Sequence, residues 1–124
     1  MNLNLVFRIS AIISAINGVG LLFMTGTFFE MAGFTLSPSL ITCGQFLGVT
    51  VLFLALVQWR IPDFAGEAAA SSLGYLWGIG NIMWLVILGY HMMIGQAAGA
   101  TAYINAVLFV IFAILFFMYS RKPE

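Results

Sequence analysis

The chain has 124 residues, 63% hydrophobic and only 6% charged, with a mean hydropathy of +1.11. A water-facing domain of this size dresses its surface with roughly a quarter charged residues, so the composition is that of an integral membrane protein. Four positive and four negative side chains cancel, leaving no basic patch for nucleic acid, and the lone Cys43 allows neither an intrachain disulfide nor a CxxC redox pair.

The first apolar stretch, "MNLNLVFRISAIISAINGVGLLFM", carries Arg8 inside it, is longer than a signal-peptide core and has no A-x-A site after it. It reads as a retained span over about residues 4–24, since about 20 apolar residues cross a bilayer core as a helix. The following "TGTFFEMAGFTLSPS" sets Phe28, Phe29, Met31, Phe34 and Leu36 around a single charge, Glu30. That pattern suits a short segment lying in the membrane interface, either resting on headgroups or forming a lid over the outer end of the helices.

A second span over about 38–59 starts at "SPSLITC", where Ser37 is suited to capping and Pro38 to the first helical turn. In "RIPDFAGEAAASS", Pro62 and Gly66 are expected to break the chain, with Asp63 and Glu67 capping the next helix and balancing Arg60. A third span over about 68–93 and a fourth over about 97–119 are separated only by "IGQAAGA". The expected fold is therefore all-α: one transmembrane domain over 1–124, an antiparallel four-transmembrane-helix bundle with a short interfacial segment in its first outer loop.

Arg8, Arg60, Arg121 and Lys122 all fall on one side of such a bundle. Lys and Arg near span ends stay on the cytoplasmic side, so both termini are expected there, in a bacterial inner membrane.

Each span is read as offering one carboxamide: Asn17, Gln45, Asn81 and Asn105. At 1.5 Å per residue, three of them sit about 10–12 Å below the outer surface and Asn81 about a turn deeper. Ser10, Ser14 and Asn17 share one helical stripe, as do Thr42, Gln45 and Gly48; Gly74, Gly78 and Asn81; and Ala98, Thr101, Ala102 and Asn105. "GQFLG" (44–48), "GYLWG" (74–78) and "GQAAG" (95–99) add small-xxx-small spacing, where membrane helices pack closely. Amides on these faces are expected inside the bundle, because an unpaired amide in hydrocarbon costs several kcal/mol. Two arrangements are open: interhelical hydrogen bonds of about 0.6 kcal/mol each, or a small polar cavity open outward.

The only histidine, His91, falls near the outer end of the third span beside Tyr90, with Glu30, Gln96 and Tyr103 as expected neighbours. An interfacial imidazole, hydrogen-bonded to Glu30 or Tyr103, is the simplest reading. One histidine and one carboxylate on that side cannot make a three- or four-ligand metal site, and no cofactor is expected. All four acids lie in loops or the tail, and neither a Ser/His/Asp set nor a phosphate loop is present, so enzymatic activity is not expected.

Two resemblances follow from longer stretches. "YLWGIGNIMWLVI" (75–87) is similar to the third span of small multidrug exporters, but those depend on a carboxylate in the first span, which here holds only Asn17 and Arg8. "FFEMAGFTLSPS" followed by "CGQFLGVTVLFLALVQWR", within roughly residues 15 to 95, resembles small bacterial four-span membrane proteins grouped as a domain of unknown function. That resemblance implies the four-helix fold and no catalytic residues.

The functional expectation is a non-enzymatic binding or accessory subunit that takes a lipid, quinone or other small amphiphile. Its ligand layer is Asn17, Gln45, Asn81 and Asn105, with Trp84 and Tyr103 as walls and Glu30 or His91 at the mouth. The alternatives are a homo-oligomeric transporter or channel for a neutral solute, and a structural subunit of a larger membrane complex.

Overall fold

A computed structural model describes residues 2–121; Lys122, used above for orientation, and Glu124 lie outside the described residues. Five helices follow one another: α1 (Leu3–Phe23), α2 (Thr25–Met31), α3 (Pro38–Phe64), α4 (Glu67–Met93) and α5 (Ala100–Tyr119). All but α2 are long and apolar enough to cross a membrane.

Local chemistry explains the boundaries. Asn2 caps α1, its side-chain oxygen accepting from the Leu5 amide at 2.9 Å, and Ser37 caps α3 in the same way from Leu40 at 3.1 Å, with Pro38 in the first turn. The expected break at Pro62 does not occur: α3 continues to Phe64, and only Ala65 and Gly66 separate it from α4. Proline in this last turn lacks the amide hydrogen that the Gln58 carbonyl, four residues earlier, would otherwise receive. Asp63 consequently sits on α3 rather than capping α4, paired with Arg8 at 2.7 Å and with Arg60 at 3.4 Å. The Arg8 guanidinium also lies over Trp59, 4.5 Å from the ring centre. "GQAAG" is not a helical face but the turn between α4 and α5, where Gly95 adopts φ +83°.

The helices assemble as two close pairs. In the first, Gly18 lies against the backbone of Leu52, and Gly48 against the backbone of Leu21 and Leu22, so α1 and α3 run antiparallel with their main chains almost touching. In the second, Gly74 faces Ser120 and Gly78 faces the Phe117 ring, joining α4 to α5. The Ser71 hydroxyl reinforces this pair by donating to the Ser120 carbonyl. The pairs meet mainly through α1 and α5, while α3 and α4, adjacent in sequence, do not pack along their length.

At the end that carries Arg8, Arg60 and Arg121, a core of Val6, Phe7, Ile61, Phe112 and Phe116 fills the interior. Phe7 meets Phe116 edge-on at 5.0 Å and Trp77 at 5.9 Å. The opposite end is covered by α2. Ala32, Ala97 and Ala102 pack there, and the Gly99 amide donates to the Ala32 carbonyl at 2.9 Å, fastening the chain after α2 to the α4–α5 turn. Gly33, at φ +89°, makes this approach possible, since a Cβ there would press on the Ala98 and Gly99 amides. The outward surface is apolar: Ile12, Ile16, Phe46, Phe53, Met83 and Val86 stand between 50% and 71% exposed.

Candidate functional site

Between the two pairs lies a cavity of about 620 Å³, within the usual range for small-molecule sites. The aromatic core closes it at the charged end, and Phe28, Phe29, Ala32 and Phe34 close it at the other. Phe29 is held by edge contacts to Phe28 and Phe34 at 6.0 and 5.5 Å, so the lid is a packed aromatic unit. The expected interfacial segment is thus a short helix and its following turn, laid over the cavity.

The polar groups enter from stripes of helical period. On α1, Ser10, Ser14 and Asn17 all line the cavity, as the sequence pattern predicts. On α5, Thr101, Ala102 and Asn105 do the same, whereas Ala98 belongs to the preceding turn. Asn17 and Asn105 meet across the bundle, the Asn17 Nδ2 donating to the Asn105 Oδ1 at 3.0 Å. The remaining Asn17 hydrogen reaches the Ile13 carbonyl at 3.3 Å, and the Asn105 Nδ2 donates to the Thr101 carbonyl at 2.9 Å. Asn81 also lines the cavity but does not join the pair: its Nδ2 donates within α4 to the Trp77 carbonyl at 2.7 Å.

Gln45 falls outside this constellation. It is exposed on the outer surface of α3, as is Thr42, whose hydroxyl returns to the Pro38 carbonyl at 3.1 Å. The inward stripe of α3 is Gly44, Gly48, Val51, Ala55 and Gln58, and Gln45 is about 100° away from its centre. The amide that α3 gives the cavity is Gln58, which the sequence reading missed. Gln58 is 2% exposed, and its Nε2 has no hydrogen-bond partner among the described residues. The Thr101 hydroxyl, also buried and lining the cavity, is similarly unpartnered. The signal for Gln58 was available in the alternating four- and three-residue spacing 44, 48, 51, 55, 58 from the two packed glycines.

His91 and Trp84 line the cavity as well, Trp84 stacked on Phe109 at 5.8 Å and His91 against the edge of Tyr90 at 5.2 Å. The expected hydrogen bond from His91 to Glu30 or Tyr103 is absent among the described residues: both lie exposed and neither lines the cavity. Those two, with Gln45, are the predicted site residues that the fold does not bring in.

The lining is neutral, for no Asp, Glu, Lys or Arg among the described residues reaches it. Its mouth is shown by exposure. Leu54, Leu76, Trp84 and Ile87 line the cavity yet are 45% to 57% exposed, and all four belong to α3 or α4. Fold and cavity together define a class: a four-helix apolar protein with a neutral, amide-bearing chamber, capped at both ends and open on one side. Compared with family models, with curated proteins and with solved structures, the chain matches none. The likeness to the bacterial four-span family rests only on the residues quoted for it.

Proposed function

We propose that the protein is a non-enzymatic integral membrane protein that spans the bilayer four times, with both termini cytoplasmic, and binds a small amphiphile in the chamber between its helix pairs. The observation that carries this reading is the coincidence of an apolar cavity of about 620 Å³ with the unpartnered Gln58 Nε2. A buried amide hydrogen without an acceptor costs about 1–3 kcal/mol, and an amphiphile oxygen toward which the Gln58 amide turns offsets the cost. Taking the charged end as cytoplasmic follows Arg8, Arg60 and Arg121.

A channel is less well supported, because the Phe7, Phe112 and Phe116 core leaves no path along the axis of one protomer. The structural-subunit reading loses its motif, since the glycines of "GQFLG" and "GYLWG" are spent on contacts within the chain. Native mass spectrometry of gently extracted protein tests the binding reading, with Gly80→Phe as the comparison. Gly80 lines the cavity and has open space around it, so phenylalanine fills the chamber without striking the backbone. The expected result is one bound amphiphile per wild-type chain and none on the variant; a wild-type chain that is always bare overturns the proposal.

A further inference from the structure

We infer that the chamber takes a neutral, carbonyl-bearing lipid sideways from the bilayer through the seam between α3 and α4, with the lipid carbonyl accepting from Gln58 Nε2 and the tail left in the seam. The inference rests on the binding function proposed above and adds to it the route, the polar partner and the ligand's charge.

The route follows from what closes the other sides. The aromatic core plugs the charged end, α2 and the fastened 97–99 turn cover the other, and α1 packs on both α3 and α5. The side left is the seam between α3 and α4, which do not pack along their length, and the lining residues that stand half exposed are all on these two helices. In a bilayer such a seam faces acyl chains rather than water, so an amphiphile can enter without its tail leaving hydrocarbon.

Charge selection follows from the lining. An anionic headgroup would find no Lys or Arg in the chamber and a cationic one no carboxylate, and an unpaired ion in so apolar a space is strongly disfavoured. A neutral oxygen acceptor is what the site lacks: among the described residues the Gln58 Nε2 has nothing to donate to, and because that atom is shielded from the chamber, the terminal amide turns to present its hydrogen to a bound carbonyl. The volume sets the division of the ligand. At roughly 30 Å³ per water-sized group, the chamber holds about 20 such groups, which is a head and the first part of a tail.

Depth places the acceptor. The contacts Arg8 to Asp63 and Gly18 to Leu52 put Gln58 level with Ile12 on α1, and the Asn17–Asn105 pair is about five residues, or about 7–8 Å, nearer the lid. The carbonyl is therefore bound well inside the bundle, with the Asn pair and Thr101 above it.

Neutral carbonyls of this kind come from a quinone ring or a glyceride ester, and one experiment separates the sources. A Trp59→Phe chain, which keeps only the chamber-lining Trp77 and Trp84, is titrated in phosphatidylcholine nanodiscs with a short-tailed para-quinone, which quenches tryptophan. Dioleoylglycerol and phosphatidylglycerol are then added as competitors. A tail-diazirine version of whichever neutral probe binds is photolysed, and the labelled residues are mapped.

The expected result is saturable binding of the quinone or of dioleoylglycerol, no competition by phosphatidylglycerol, and labelling at Leu54, Leu76 and Ile87 but not at Ile12 or Ile16 on the far face. Gln58→Met, close in shape, is expected to weaken binding about three- to tenfold; the mapping on the wild-type chain stands independently should that variant misfold. Equal binding of phosphatidylglycerol, unchanged affinity in a folded Gln58→Met chain, or labelling confined to α2 overturns this inference while leaving a binding function in place. Absence of saturable binding by every probe overturns both.

Discussion

Gln58→Met is expected to make the ligand-free protein more stable. The side chain is 2% exposed and its Nε2 has no partner among the described residues, so the folded state carries a desolvated donor that the thioether does not have. A buried unsatisfied donor costs about 1–3 kcal/mol, and methionine, of similar length and flexible, fills the same space. The expected gain is therefore about 1–3 kcal/mol in delipidated protein, measured by SDS-induced unfolding in dodecyl maltoside micelles. With the chamber occupied, wild-type Gln58 recovers a hydrogen bond of about 0.5–1.5 kcal/mol, and the advantage of methionine shrinks by that amount. A variant that is less stable than wild type by about 1 kcal/mol or more would show that the amide already has a partner. A site residue that costs stability when empty is the pattern expected where a protein keeps a polar group for binding.

Three further outcomes test the rest of the architecture. A double-mutant cycle of Asn17→Leu and Asn105→Leu, read by the same unfolding assay, should return a coupling of about 0.6 kcal/mol, typical of interhelical amide bonds; no coupling would mean the pair does not form. Gly48→Val should destabilise by about 1–3 kcal/mol through overpacking, because a Cβ there meets the Leu22 amide at 2.7 Å, whereas Gly89→Val, with nothing nearby, should cost less than about 1 kcal/mol. Gly99→Ala should loosen the lid, since its Cβ would overlap the Met31 carbonyl; faster amide hydrogen exchange over α2 with unchanged exchange in α4 is the expected signature.

The elements that repeat along one helix were legible without the fold. The spans differ from those expected by a few residues, and the Ser10, Ser14 and Asn17 stripe meets the Asn105 stripe as helical period requires. Gln45 was misplaced because the stripe of α3 was drawn through the amide instead of through its glycines. Gly44 and Gly48 are the residues that touch Thr25, Phe29 and the α1 backbone, and following them leads to Gln58. The 95–99 glycines show the reverse error, for small-xxx-small spacing in a turn is indistinguishable from the same spacing on a helix. Helix α3 ran past Pro62 because a proline near a helix end removes one bond without ending the helix. The chamber had no local signal at all. It exists because α3 and α4 do not pack, and that depends on how two tight pairs are set against each other, with a lid fastened at one end and an aromatic core at the other.

A crystal structure of the wild-type protein grown from a lipidic mesophase would show directly whether the laterally open chamber holds an amphiphile. The expected result is elongated density inside the chamber, with the Gln58 amide turned so that an oxygen lies at hydrogen-bond distance from Nε2, and a tail emerging between Leu54 on α3 and Leu76 on α4. Helices α3 and α4 packed together, with Gln58 bonded to a neighbouring helix and no space between the pairs, would contradict it.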